Sequence, residues 1–166
     1  MTQSQSADST PAVTVRPVER ADLLSVYRIE KSVFPQPWPF SALESHLDAD
    51  AFLVAVTDRP SADGVDAVSV VGYVIADRTP NGGVPFGHVK DLAVRPDHRR
   101  QGVGALLLQN AVDRLVAAGV SDVRLEVRRG NEAARALYER FGFSYHRTAP
   151  RYYEDGEDAL VYLREV

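Results

Sequence analysis

The stretch Arg99-Arg100-Gln101-Gly102-Val103-Gly104 lies between an apolar strand-like run, His88 to Val94, and an amphipathic helical run, Val103 to Ala118. A glycine-rich turn that opens a helix leaves several backbone N–H groups without partners, and their partial positive charge suits a phosphate. The two arginines add charged donors in the fork geometry that phosphate oxygens accept. Taken alone, a Gly-x-Gly pair serves a plain packing turn equally well, so the surrounding residues have to decide. A P-loop is excluded because no Gly-Lys-Ser/Thr follows at the required spacing. A dinucleotide fingerprint is disfavoured because Leu107 stands where the third glycine belongs.

Cysteine is absent, so disulfides, thiolate metal ligands and a Cys nucleophile are excluded, and any chemistry falls to His, Glu, Asp, Tyr or the backbone. Glu126 alternates with Val123, Leu125 and Val127, on the same expected strand face as Arg124 and Arg128. That pattern fits a structural ion pair as well as a proton relay, and the arginines would lower its pKa. Tyr138 falls on the apolar stripe of an expected helix, as a core residue or as a buried ring presenting its hydroxyl. His88, with a reference pKa of about 6.5, and Asp91 could each assist at an amine, but structural roles serve both and neither is assigned to catalysis. Asn131 is placed to cap a helix.

Residues 1–11 are polar and aperiodic and are expected to form a disordered lead-in, with one domain over 12–166. Strands are expected over Val13–Val18, Ala51–Val56, Val68–Ala76, Phe86–Val94, Val123–Arg128, Phe143–Tyr153 and Ala159–Leu163. Helices are expected over Glu19–Ser32, with Leu23, Leu24, Tyr27 and Ile29 on or near the buried side, and over Ser41–Leu47. A third spans Val103–Ala118 with Val116 on its stripe, and a fourth follows Asn131 and stops at Gly142. The prolines at 35, 37 and 39 break the first helix. The order is β α α β β β α β α β β. A polar turn joins the second and third strands, Pro80-Asn81-Gly82-Gly83 precedes the fourth, and the acidic run Glu154–Asp158 is expected to be a solvated hairpin.

At 166 residues, 45% hydrophobic and 25% charged, the chain fits one globular domain. No run approaches the about 18 apolar residues of a membrane span, and no signal sequence is visible, which places the protein in the cytoplasm away from membranes. A net charge of −4 argues against direct nucleic-acid binding.

With these elements around it, Arg99–Gly104 resembles the Arg/Gln-x-x-Gly-x-Gly/Ala signature of the GNAT superfamily of acyl-CoA-dependent N-acyltransferases. Leu92-Ala93-Val94 is similar to that family's splayed strand, and Ala136-Leu137-Tyr138-Glu139-Arg140-Phe141-Gly142-Phe143 to a family helix. Phe34 with Pro37-Trp38, Leu125-Glu126-Val127-Arg128 and Arg151-Tyr152-Tyr153-Glu154-Asp155-Gly156-Glu157-Asp158-Ala159 resemble the protein N-terminal acetyltransferases, the ribosomal-protein S18 alanine acetyltransferases and their archaeal relatives among them. The resemblance implies an α/β (α+β) fold, with a mixed, mostly antiparallel sheet of about seven strands, about four helices, and a splay between the fourth and fifth strands.

It also implies acetyl-CoA as cosubstrate, without a metal, and a protein or peptide N-terminus as acceptor, a ribosomal protein among the candidates. Glu126 would be the base and Tyr138 the acid that protonates the thiolate. Leu92, Ala93, Val94, Arg99, Arg100, Gln101, Gly102, Val103, Gly104, Ala105 and Asn131 would hold the cosubstrate, with a backbone N–H of Leu92–Val94 facing the oxyanion. Phe34, Trp38, Tyr152 and Tyr153 would wall the substrate groove. Since the phosphate turn says nothing about the acceptor, acetylation of a lysine or small amine, and a noncatalytic acyl-CoA-binding module, stay open. The oligomeric state is not specified.

Overall fold

The computed structural model describes residues 12–58 and 69–166. Its elements are β1 (Val13–Pro17), α1 (Leu23–Val33, preceded by a 3-10 turn at Arg20–Asp22), α2 (Phe40–Ser45), β2 (Ala51–Thr57), β3 (Ser69–Thr79) and β4 (Phe86–Val94). They continue with α3 (Val103–Ala117), β5 (Asp122–Arg128), α4 (Glu132–Arg140), β6 (Ser144–Ala149) and β7 (Ala159–Glu165). The strands form one sheet in the order β1-β2-β3-β4-β5-β7-β6. Every pairing is antiparallel except β4 with β5. This is the mixed sheet with four helices that the resemblance implies.

Helices cover both faces. α3 lays Val103, Leu107, Leu108, Ala111, Val112 and Leu115 against one side of the sheet, where Tyr138 of α4 and Phe143 join the same core. On the other side Leu23, Val26 and Ile29 of α1 and Leu43 of α2 pack with Tyr73, Ile75 and Ala93. β2 is buried on both faces along its length, which is why it reads as an unbroken apolar run rather than an alternating one.

β4 contains a one-residue irregularity. Its register with β3 steps from Ile75↔Asp91 to Ala76↔Val89, so Lys90 is an extra residue with no opposite number. Side chains alternate faces with a period of two, and the extra residue shifts that alternation. Val89, Leu92 and Val94 thus pack on the α3 side, whereas Asp91 and Ala93 turn to the α1 side.

The splay has a definite vertex. β4 and β5 pair only through Gly87↔Val123, His88↔Arg124 and Val89↔Leu125. Past that point β4 stays bonded to β3 up to Val94, while Glu126, Val127 and Arg128 of β5 follow β7. The edge of β4 from Lys90 to Val94 that faces β5 therefore has no strand partner.

Several boundaries differ from the sequence reading. Leu24 and Val116 are 52% and 48% exposed, because the inward stripes run through Leu23-Val26-Ile29 and Leu108-Val112-Leu115 and leave these two on the flanks. β6 ends at Ala149 rather than Tyr153. Pro150 supplies no N–H to a ladder, and Arg151 takes a left-handed φ of 49°, so Tyr152 and Tyr153 lie on the loop leading to β7. The expected lead-in, the turn between β2 and β3, and the expected strand start at Val68 lie outside the described residues.

Gly72 sits where the sheet approaches α3 closely. A Cβ there would lie 3.0 Å from the Ala93 carbonyl oxygen and 3.1 Å from Leu107 Cδ1. Gly72→Ala should destabilise the fold by about 1–3 kcal/mol and lower Tm by about 2–12 °C, measured by calorimetry.

Candidate active site

At the open end of the splay the chain turns into α3 through two left-handed residues, Arg100 at φ 62° and Gly102 at φ 78°. Gly102 is the N-cap and carries no side chain to satisfy the amides that follow; the Leu106 N–H is bonded to Gly102 O at 3.0 Å. The amides of Val103, Gly104 and Ala105 precede it at the positive end of the helix dipole. Arg99, Arg100 and Gln101 are exposed around them, and among the described residues the two guanidinium groups make no ion pair. A Cβ on Gly104 would meet Leu137 Cδ2 at 3.3 Å and Val94 Cγ2 at 3.7 Å, so the first turn of α3 packs onto both α4 and the end of β4. Donors without partners at a helix start fit a pyrophosphate. Asn131 caps α4, its Oδ1 accepting the Ala134 N–H at 3.2 Å, while its amide nitrogen has no partner among the described residues.

Glu126 is the first residue of β5 beyond the last β4 pairing, on the face away from α3. His88 Nε2 donates to its Oε2 at 2.6 Å, and the two side chains are 26% and 24% exposed, within reach of an incoming group. The arginines expected beside Glu126 are engaged elsewhere. Arg124 bonds Asp122 and stacks on Phe86, and Arg128 bonds Asp155 at 2.7 Å and Glu157 at 3.0 Å. Sequence reasoning set His88 aside. Its signal was faint: an outward-facing position on each of two strands whose register no local pattern reveals.

Tyr138 enters from the opposite face. Its ring is buried and stacks edge-on against Phe143, with centroids 6.0 Å apart. Its hydroxyl makes no hydrogen bond among the described residues, and the one sealed side-chain oxygen without a partner among them is Asp122 Oδ1, so the Tyr138 oxygen is open at its tip. Burial, then the nearby Asp91 and Tyr153, raise its pKa well above the usual phenol value. The phenol is protonated at neutral pH.

Tyr152 and Tyr153 meet edge-on at 5.0 Å, and the Arg128 guanidinium lies 4.0 Å above the Tyr153 ring. The acidic run is the exposed turn of the β6–β7 hairpin, as expected, and in addition Asp155 and Glu157 tie it to Arg128, and Asp158 to Arg129. Burial, opposed by Arg128 and assisted by Tyr152 and Glu126, pushes Tyr153 up to about 12. Phe34 and Trp38, between α1 and α2, are partly buried against the core on the α1 side. Asp91, by contrast, is no solvated carboxylate: it is buried beside the Tyr73 hydroxyl, and burial together with Glu30 raises its pKa. Sequence reasoning missed this cluster, whose one trace is a glutamate on the inward stripe of α1.

A mixed sheet opened between β4 and β5, with an uncapped glycine-rich helix start at the opening, is the arrangement of an acyl-CoA-dependent transferase. Residues 23–143 match the acetyltransferase (GNAT) family, and the chain belongs to it. It is 32% identical over 151 residues to the [ribosomal protein bS18]-alanine N-acetyltransferase of Escherichia coli strain K12, covering 89% of this chain and 94% of that protein. An N-alpha-acetyltransferase of Saccharolobus solfataricus is 30% identical over 165 residues, covering 92% and 93%. Among solved structures, Ard1 from Thermoplasma volcanium has a TM-score of 0.80 at 27% identity, over 93% of this chain and 98% of that one.

Since the fold favours the neutral phenols, stability is retained below the unfolded phenol pKa of about 10 and declines as pH rises above it. In an ultraviolet titration of the seven tyrosines, Tyr73, Tyr138 and Tyr153 should stay protonated through about pH 11 and ionise as the fold is lost.

Proposed function

We propose that the protein transfers acetyl from acetyl-CoA directly to the α-amine of a protein or peptide N-terminus. The observation that carries this reading is the pairing of two proton-transfer groups on opposite faces of one gap: the His88–Glu126 pair on the α1 side and the unbonded Tyr138 hydroxyl on the α3 side. The names of the bacterial and archaeal relatives support the same acceptor class. A ribosomal protein is the acceptor the bacterial relative's name supports, and it would place the reaction in the cytoplasm.

An α-amine suits this site on energetic grounds. Neutralising it near pH 7 costs roughly 1 kcal/mol, against roughly 4–5 kcal/mol for a lysine. A carboxylate acting through one water is then sufficient. Glu126 accepts the amine proton while His88 holds its Oε2 in place. Amides on the free edge of β4, between Leu92 and Val94, stabilise the charge that develops on the carbonyl oxygen.

Acetyl-CoA supplies an acyl group already activated as a thioester. Val103, Gly104 and Ala105 amides with Arg99, Arg100 and Gln101 would bind its pyrophosphate, and the Asn131 amide nitrogen would add a donor. As the N–C bond forms and the C–S bond breaks, Tyr138 gives its hydroxyl proton to the departing sulfur. The α-ammonium gives up two protons in all, one as it is neutralised and one from the nitrogen after attack, both leaving through Glu126 to solvent; one returns to Tyr138, so each cycle releases one net proton. Phe34, Trp38, Tyr152 and Tyr153 wall the acceptor.

Glu126→Gln and Tyr138→Phe should each lower kcat by about a hundredfold while the acetyl-CoA Kd stays within about twofold. Unchanged turnover in both variants rejects these roles. With defined N-terminal peptides, including the ribosomal S18 terminus, mass spectrometry should locate acetate on the α-amine. Acetate found solely on lysine or small amines overturns the acceptor class, and acetyl-CoA binding without any product overturns catalysis.

A further inference from the structure

α1 directs Leu23, Val26 and Ile29 into the core under β3, and beside them points Glu30, which is 1% exposed. An aliphatic side chain would fill that space without the desolvation cost of a carboxyl group. Both carboxyl oxygens are in use. Oε2 accepts the hydroxyl of fully buried Tyr73, which also lies 3.2 Å from Asp91 Oδ2, and Oε1 accepts the backbone N–H of Trp38 at 2.9 Å. The Glu30 main-chain carbonyl accepts the N–H of Phe34 at 3.0 Å.

What hangs from these bonds is an unusual segment. From Phe34 to Pro39 the sequence is Phe-Pro-Gln-Pro-Trp-Pro, and the prolines at 35, 37 and 39 carry no N–H. Phe34, Gln36 and Trp38 hold the remaining amides, and two of those three end on Glu30. A proline-rich segment supplies few amides of its own, so between α1 and the Pro39 carbonyl, which accepts the first N–H groups of α2, its place is set by these two bonds and by the packing of the two aromatic rings. The inner end is rigid too, because Tyr73 lies mid-sheet and Asp91 is turned toward it by the extra residue at Lys90.

We propose that Glu30 is a positioning residue for the acceptor groove: it holds the α1–α2 segment where Phe34 and Trp38 can wall a peptide N-terminus. This rests on the reading of those two aromatics as groove walls. Glu30 has no direct contact with a reacting atom in that scheme, so its loss changes how the acceptor is held rather than the chemical step, and the effect falls on KM for peptide.

Trp38 is the sole tryptophan of the chain, so its fluorescence reports on the segment with no substrate present. Glu30→Leu fills the space and removes the acceptor, whereas Glu30→Gln keeps a side-chain carbonyl oxygen. Glu30→Leu should raise the peptide KM about tenfold, with kcat and the acetyl-CoA KM within about twofold. It should also move Trp38 emission to longer wavelength and increase its quenching by acrylamide. Glu30→Gln should restore both readouts.

Emission and quenching in Glu30→Leu that match the parent protein overturn the proposal, as does a glutamine variant as impaired as the leucine one. If Glu30→Leu does not fold, Glu30→Met, unbranched and of similar length, replaces it with the same expected results. The two arms keep the readings apart. A protein that acetylates no N-terminal peptide yet shows the emission change loses its acceptor class and keeps the anchor, whereas active peptide acetylation with an unchanged peptide KM in Glu30→Leu removes the anchor alone.

Discussion

Parallel pairing between β4 and β5 extends over Gly87, His88 and Val89 and then stops, because each strand is held more extensively by its outer neighbour. The sheet is thereby a wedge with its vertex at Val89 and Leu125. Gly87 keeps that vertex closed: a Cβ there would lie 2.8 Å from Leu115 Cδ1 and 3.3 Å from Val123 Cγ2, so α3 and both strands meet where no side chain intervenes. The vertex orders the site. His88 is the middle residue of β4 paired with β5, Glu126 the first residue of β5 beyond that pairing, and the start of α3 stands at the wide end.

A wedge in a sheet opens to both faces at once, and the two faces deliver different groups. The α1 side brings the His88–Glu126 pair and two loops rich in aromatic residues. The α3 side brings the buried Tyr138 ring and the uncapped amides. Each loop on the α1 side is fastened from beneath: the one between β6 and β7 by Arg128, through Asp155, Glu157 and the Tyr153 ring, and the one between α1 and α2 by Glu30. Charged groups with several partners do this work while the sheet supplies a stiff base.

Most of the element order was legible in the sequence because its signals are local. The stripe of α3, the glycine before it, the alternation of β5 and the Asn131 cap each lie within one element, and each appears where its pattern points. Errors fell where an apolar residue flanks a stripe, as at Leu24 and Val116, or where a proline ends pairing inside an apparently suitable run, as at Pro150. Longer-range facts left no local trace. The His88–Glu126 contact depends on the register of two strands separated by α3, and Glu126 and Arg128 found partners that lie far along the chain. The buried Tyr73 hydroxyl is bridged to Glu30 and Asp91 across three elements, each of which reads as ordinary on its own.

Lys90 shows how one uncounted residue works as a phase shift. From Asp91 to Val94, the face each side chain takes is set by that insertion and not by its own chemistry. A substitution anywhere in this stretch alters one contact, but the loss of a single residue would exchange the contents of the two cores, driving Asp91 and Ala93 toward α3 and Leu92 and Val94 toward α1. The residue count of this strand is therefore a structural constraint in its own right, separate from the identity of any one side chain. Alignments of distant relatives across β4 carry functional meaning only where the residue count between Gly87 and the prolyl turn at Pro96 is preserved.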